Sequence, residues 1–595
     1  MGTADEQSAQ MKEIAISEFF EKNRHLLGFD NPQKALITVV KEAVDNSLDA
    51  CEEAKVLPDI KVDIEQIRED RFKVIVEDNG PGIKKDHITR VFGQLLYGSK
   101  FHRLKQSRGQ QGIGISASVL YSQLTTGKKT KVYSKTEKDK DTHYYEIIID
   151  TKKNRPAIGK EEIVKTGINH GTKIEMEMTG KYVKTHHSPY EFLRQVAIMN
   201  PYAEINYKEP DGTKILYKRA VHSLPKMPKE IKPHPHGIEL GILMRMLRDT
   251  KARNLKSFMM TEFSRMGATS VRKICQEAQV EARVQPKKLN RDESERLLHA
   301  MQSAHLMSPP TDCLSPITKG GIEAGLKKEI EAEFVTAVTR APAVYRGYPF
   351  QIEAGIAWGG EFDKVESEEE KASTEAKVMR YANKVPLLYQ KSACAVSKAV
   401  AETNWKRYGL NQSGGRGVPK GPLVIAVHMA SVWVPFTSES KEAIANYPEI
   451  MDEMKLALQE CGRQLGAHLK SKYKARNKIA KRSTIDLYGK EVAKALAEIT
   501  GKSEKNILKD INTLAEKRLG NLEDLQAKAA PKKMEKEKGP GHTVEEQREI
   551  DESNQALMEL IPGSKENVER DNEDIIEEEP SDGMSMKAET KKPAS

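Results

Sequence analysis

The sequence predicts a multidomain α/β chain, and three observations predict it. Strand-like alternation is interleaved with helical periodicity over residues 31–228. The pattern turns wholly helical and basic over 229–306. It returns to mixed strands and helices over 307–475, then runs into a long helix. At 595 residues the chain has length for roughly four domains. Hydrophobic residues make up 38% and charged residues 31%, which fits a soluble globular chain with polar extensions. The 96 Lys and Arg exceed the 87 Asp and Glu, giving +9, so an acidic partner is expected where that excess gathers. Five widely spaced cysteines with no Cys-x-x-Cys pair indicate neither a zinc site nor a disulfide framework, and point to a reducing compartment. No signal peptide or apolar run of membrane-spanning length is present, so no membrane partner is expected.

The first element is a helix from Pro32 to Cys51. Asn31 is placed to cap it, and Pro32 occupies a first-turn position where a missing N–H costs nothing. Ile37, Val40, Val44, Leu48 and Cys51 share one face; Glu42, Asn46 and Asp49 share the opposite one, flanked by Asp45. Alone, that polar row reads as a solvated face. Next comes a strand, Arg71–Asp78, with Phe72, Val74 and Val76 alternating, which ends in Asp78-Asn79-Gly80-Pro81-Gly82. Such an end puts a carboxylate at a pocket rim, and Gly80 and Gly82 let the backbone approach a flat ligand; alone, the same residues read as a turn.

Arg108-Gly109-Gln110-Gln111-Gly112-Ile113-Gly114-Ile115 then leads into an apolar run ending at Leu120. It suits a loop closing onto a helix N-terminus, where backbone N–H groups hold phosphate oxygens. No strand immediately precedes it, against a Rossmann loop, and no Gly-Lys-Ser/Thr closes it, against a Walker loop. Gly171-Thr172 opens one more alternating strand, 172–179. Taken in this order, the four motifs resemble the Bergerat ATP-binding fold of the gyrase, heat-shock chaperone, histidine-kinase and MutL families. That resemblance implies an α/β sandwich over 31–228, with further strands expected at 59–67, 130–135, 143–150 and 203–208. It also implies an N-terminal arm over 1–30 that reaches across a dimer partner.

The Pro- and His-rich stretch that follows reads as a linker; His234 and His236 have no further metal ligands nearby in sequence. Within 229–306, turns are expected around Thr250–Asn254 and Gly267–Thr269. Within 307–475, strands are expected at 332–339, 349–356, 384–390 and 422–434, with Lys420 on a Gly- and Pro-containing loop before the last. Trp405-Lys406-Arg407-Tyr408 interleaves aromatics with cations, a pattern that suits nucleic acid or a partly buried helix face. A helical pattern from about Ser440 to Arg482 ends in Lys470, Lys472, Lys474, Arg476, Lys478, Lys481 and Arg482, which is either a solvated face or a DNA-facing stripe. Shorter helices extend it over 476–530, and the charged tail 531–595 is expected to be largely disordered.

Beyond the ATP motifs, the order of domains resembles the B-subunit family of type IIB DNA topoisomerases over roughly residues 12–520. E-F-F-E-K-N-R, K-E-A-V-D-N-S-L-D-A-C, R-G-Q-Q-G-I-G-I-S and P-K-G-P-L-V-I-A-V-H-M-A-S-V-W-V-P carry the likeness. It implies a Bergerat domain, a small helix-two-turn-helix domain (229–306), an α/β transducer domain (307–475) and a long helical stalk. It implies Glu42 as the base for water attacking the γ-phosphate, Asn46 as a Mg²⁺ ligand, and Asp78 as acceptor of the adenine amino group beside Gly80 and Gly82. Ser99, Lys100, Thr172 and the lid from Arg108 to Ile115 would complete the ATP site, and Lys420 would touch the γ-phosphate from the transducer. The implied partners are a separate A subunit carrying the cleaving tyrosine, in an assembly of two A and two B chains, a second copy of this chain on ATP binding, and double-stranded DNA in the cytoplasm, at the nucleoid. Other readings stay open: a MutL-like or chaperone-like clamp, a histidine kinase, or a DNA-binding scaffold without turnover. Against the kinase, which needs an acceptor histidine in an upstream dimerisation helix, only about thirty residues precede the first motif; against the scaffold stands the intact Glu42–Asn46 pair.

Overall fold

The computed structural model describes residues 20, 22–98, 103–109, 112–360, 374–521 and 524–526. Most of the expected arm (1–30), Ser99 and Lys100, Gln110 and Gln111, and the tail 531–595 lie outside these residues.

Helix α1 (Pro32–Glu53) begins as its sequence dictates: the Asn31 side chain accepts from Lys34 N at 2.8 Å and Pro32 opens the first turn. Its apolar face is buried without exception, from Leu36 to Cys51. That face lies on a sheet of eight strands, β1 (Asp59–Arg68), β2 (Arg71–Asp78), β3 (Thr130–Lys135), β4 (Thr142–Asp150), β5 (Arg155–Val164), β6 (Gly171–Thr179), β7 (Glu204–Lys208) and β8 (Lys214–Tyr217), in the order β5-β4-β3-β6-β2-β1-β7-β8. Between them come α2 (Lys85–Gly93), α3 (Gly114–Thr126) and α4 (Pro189–Met199). One apolar core joins α1, α3 and α4 to the sheet.

Two strands and two helices of this domain were not expected. β5 is an edge strand exposed along nearly its whole length, so its sequence carries no alternation to detect. β8 is a four-residue edge strand. α2 is short and has no capping side chain. α4 did leave a signal in Ser188-Pro189-Tyr190-Glu191: the serine hydroxyl accepts from Glu191 N at 3.1 Å.

The helical insert carries α5 (Leu240–Asp249), α6 (Leu255–Glu262), α7 (Ala268–Glu277) and α8 (Arg291–Ser303), with a separate core around Leu243, Phe258, Val271 and Leu297; the first turn falls at 250–254 as expected, whereas the second spans 263–267, because Ala268 and Thr269 already belong to α7. His234 and His236 hold the linker down through the carbonyls of Met307 and Ala304.

The second α/β domain begins with α9 (Lys319–Glu329). Its strands are β9 (Phe334–Thr339), β10 (Ala343–Tyr345), β11 (Tyr348–Trp358), β12 (Lys377–Ala382), β13 (Val385–Pro386) and β14 (Leu423–Ser431), ordered β10-β11-β14-β12-β13 with β9 also on β11. The strand expected at 384–390 is corrected: β12 ends at Ala382, Asn383 and Lys384 turn with φ of +48° and +68°, and only two residues pair beyond them. Helix α10 (Ala395–Glu402) and the start of α11 (Pro448–Thr500) cover one face of this sheet, and α9 covers the other together with Ile198 and Met199 of α4. The two domains approach so closely there that a Cβ on Gly325 would sit 1.9 Å from the Ile198 carbonyl oxygen.

Helix α11 starts at Pro448, later than the expected Ser440, and runs 53 residues without a break before α12 (Glu504–Leu519). Its buried residues are dense only as far as Leu465; beyond, they thin to Ala475, Arg482, Gly489 and Ala493. The aromatic–basic segment is also resolved. Trp405 is fully buried, its indole N–H donating to Val400 O at 2.8 Å, and Tyr408 packs so tightly on Gly462 that a Cβ there would lie 2.5 Å from the ring. Its aromatics therefore belong to the core; only Lys406 and Arg407 face solvent.

Candidate active site

A cavity of about 320 Å³ opens between α1, the end of β2, the N-terminus of α3 and the second α/β domain. Glu42, Asn46 and Ser47 face it from one side of α1, at the i, i+4 spacing the sequence set out. Asp78 lies on its floor, 9% exposed. The Asp78 carboxylate accepts from the Ser47 hydroxyl at 2.9 Å, from Gly80 N at 2.9 Å and from Thr172 N at 3.2 Å. Burial nonetheless pushes its acidity to a pKa above the ordinary carboxylate range, against the pull of those three donors.

The glycines are needed where they stand. Gly82 has φ of +68° and its absent Cβ would fall 2.2 Å from Lys135 O. A Cβ on Gly114 would fall 1.7 Å from Glu42 Oε2, so the first residue of α3 has to be glycine for the carboxylate to lie against it. Gly109, Gly112, Gly114, Ile113, Ile115 and Thr172 all line the cavity. Gly80 stands one step back, its carbonyl 2.8 Å from His170 Nδ1.

Two expectations are corrected. Arg108 does not reach the cavity. Its guanidinium is buried and bonds Asp49 at 2.9 Å, Glu52 at 2.5 Å, Asn200 at 2.5 Å and the Tyr202 hydroxyl at 3.0 Å. Burial pushes the Glu52 carboxyl up, but Arg108 and Lys384 beside it pull harder and hold it below its usual range. Lys420 is also absent from the lining: its backbone bridges Glu375 and Asn411 at the foot of β14, away from the site.

The lysine that does enter from the second domain is Lys441, in the loop before α11. It takes φ of +53°, and its Nζ donates to Arg108 O at 3.4 Å. Burial pulls the Lys441 ammonium below its ordinary range, partly offset by Glu42 and Asp45. Its neighbour Glu442 pairs with Lys34 of α1 at 2.5 Å.

Asp45, one turn from Asp49 on the buried side of the helix, is raised to about 7 by burial, with Lys41 pulling down and Glu42 pushing up. A carboxyl raised in the fold is protonated there and ionised in the unfolded chain between pH 4 and 7, so stability falls as pH rises through that window. Asp45→Asn is therefore expected to leave stability unchanged near pH 4 and to raise it by up to about 4 kcal/mol at pH 8. Denaturant melts at the two pH values check this; an equal effect at both would contradict it.

The donor set fits a purine nucleotide: a buried carboxylate for an amino group, a glycine-lined floor for a flat ring, and a loop feeding a helix N-terminus for phosphates. Among the described residues no cluster of three or more His, Cys, Asp or Glu is placed to hold a metal. No described helix is long and apolar enough to cross a membrane.

Comparison with known proteins gives the same picture at both ends of the cavity. A family described as histidine kinase-, DNA gyrase B- and HSP90-like ATPase matches residues 34–172, and one described as topoisomerase VI B subunit, transducer, matches residues 309–481. The B subunit of type 2 DNA topoisomerase 6 from Methanococcoides burtonii is 49% identical over 520 residues, covering 87% of this chain and 82% of that protein. The corresponding B subunit from Archaeoglobus fulgidus is 49% identical over 501 residues (84% and 81%), and that from Pyrococcus furiosus 37% over 562 (85% and 95%). With an ATPase domain carrying these motifs joined to a transducer, and relatives of such identity over most of its length, the chain belongs to the family of type 2 DNA topoisomerase 6 B subunits.

Proposed function

We propose that this chain binds and hydrolyses ATP in the cavity, and that turnover gates the passage of one DNA duplex through a double-strand break made by a separate A subunit. The observation that carries this reading is the convergence of Glu42, Asn46, Asp78, Gly109, Gly112 to Ile115, and Lys441 on one cavity built by two domains. Asp78 accepts a hydrogen bond from the adenine amino group, held in place by Ser47 and Thr172. Glu42 orients a water and takes its proton as the water attacks the γ-phosphate. Mg²⁺, with Asn46 among its ligands, neutralises phosphate charge when bound. Ser99, Lys100, Gln110 and Gln111 remain proposed phosphate contacts outside the described residues. Lys441, in place of Lys420, senses the γ-phosphate for the second domain.

ATP binding pairs two copies through this domain, in an assembly of two A and two B chains. The exposed Arg245, Arg248, Lys251 and Arg253 of the insert, and Lys470, Lys474, Arg476, Lys478 and Lys481 of α11, offer cations to duplex phosphates.

The test is ATP turnover and supercoil relaxation by the full chain, with and without an A subunit, comparing Lys441→Met with Lys420→Met. Relaxation should require both ATP and the A subunit. Lys441→Met should lower turnover by about tenfold or more, while Lys420→Met leaves it near wild type. Turnover without any relaxation would favour the clamp, and equal losses in both variants would remove Lys441 from its role.

A further inference from the structure

The chain leading into the phosphate loop is stitched to the second α/β domain residue by residue. Gln106 N donates to Cys313 O at 2.9 Å, and the Gln106 amide exchanges two bonds with the Ser315 backbone, at 2.6 and 3.2 Å. The Asn383 amide donates to Ser107 O at 3.1 Å. Beside it Lys384, 3% exposed, sends its ammonium across the domain boundary to Glu52 at 3.2 Å and Tyr202 at 3.4 Å, and within its own domain to Ser315 Oγ at 3.2 Å. Glu52 and Tyr202 in turn hold the Arg108 guanidinium. Arg108 and Lys384 balance Asp49 and Glu52 in charge, so the cluster is stable as a set and costly to open singly.

The turn that presents Lys384 is itself fixed. Both its residues take positive φ, Asn383 exchanges two bonds with Ser431, and Lys384 N donates to His428 Nε2 at 2.9 Å, with His428 Nδ1 2.9 Å from the buried Glu353. Glu353 accepts from the backbone of Ile317 and Thr318 that opens α9. One bonded path therefore runs from the middle of the second sheet to the first residue of the lid.

We propose that the Asn383–Lys384 turn moors Gln106, Ser107 and Arg108, which lead into the glycine loop, to the second domain, so that nucleotide occupancy of the cavity is passed to that domain through Arg108, Glu52 and Lys384, by a route that does not use Lys441. This rests on the nucleotide-site reading above. Lys384 is a positioning residue: it does not itself line the cavity.

The experiment places dyes at introduced cysteines, K128C and Y488C, in the full chain; both positions are exposed and the five native cysteines are buried. The distance between the dyes is read with and without a non-hydrolysable ATP analogue, alongside analogue affinity and ATP turnover. Lys384→Met should bind the analogue within about threefold of wild type, lose the analogue-driven change in distance, and lose about tenfold in kcat with KM little altered. Lys384→Arg should restore most of both. Should Lys384→Met not fold, the charge-balanced pair E52Q with K384M is read the same way. A Lys384→Met chain that moves as wild type does, or one that loses movement only because it loses the analogue, overturns the proposal alone. A wild-type chain that does not bind the analogue overturns the nucleotide reading, and the proposal with it.

Discussion

Glu42→Gln is expected to lower ATP turnover by about 10²- to 10⁴-fold while leaving nucleotide affinity close to wild type. The amide keeps the size and the hydrogen-bonding reach of the carboxylate but cannot take a proton from water. Glu42 sits on a rigid, capped helix whose opposite face is buried, and it lies directly against the first residue of α3. Such a placement leaves little for it to do in binding the base, a task the proposed function gives to Asp78, whose carboxylate is held by Ser47 and Thr172. Single-turnover ATP hydrolysis alongside analogue titration separates the two quantities. A variant that hydrolyses ATP at the wild-type rate would remove Glu42 as the base, and one that loses affinity and rate together would make it a binding residue.

Gly114→Ala is expected to cost nearly as much turnover as Glu42→Gln without unfolding the chain. Alanine is the better helix former, so the change favours α3 locally. Its Cβ, however, falls 1.7 Å from Glu42 Oε2 and 2.4 Å from Cδ, and the movable partner is the carboxylate. The side chain must swing out of the position from which it addresses the phosphate end of the cavity. Because both substitutions disable one group, the double variant should be no slower than the slower single one. Circular dichroism confirms folding, and turnover of the two single variants and the double one completes the cycle. Additive losses would mean that Gly114 acts by some other means, such as the approach of the backbone to phosphate.

What the sequence made legible was local. Glu42, Asn46, Asp78 and Gly82 stand in short motifs whose helix and strand placement the sequence set out, and all four line one cavity; the roles proposed for them rest on the family resemblance, since each motif alone reads as a solvated face or a turn. What it hid depends on distant chain. Arg108 adjoins the glycine loop and reads as part of it, yet its partners lie 56 to 94 residues away, and the carboxylates among them, Asp49 and Glu52, draw it out of the cavity. Lys420 stands between glycines, the usual dress of a loop lysine that reaches a phosphate; Lys441 stands in Thr-Ser-Glu-Ser-Lys-Glu-Ala with no glycine at all, and only a turn at positive φ delivers it. The apolar run Val385-Pro386-Leu387-Leu388-Tyr389 imitates a strand, but four of its residues, Pro386 to Tyr389, line the cavity instead. The exposed β5 escaped because period-two alternation records burial, and β5 has almost none.

The unbroken helix α11 has a mechanical consequence. At 53 residues it is about 80 Å long, and its dense packing on the second domain ends at Leu465, within its first third or so. It is therefore a lever arm clamped near one end. A tilt of about 3° at the clamp carries the far tip, about 50 Å beyond Leu465, through about 3 Å. In the proposed coupling, a small tilt set at the phosphate end of the cavity would be magnified along α11, and stiffness along that helix becomes the property on which the amplification depends.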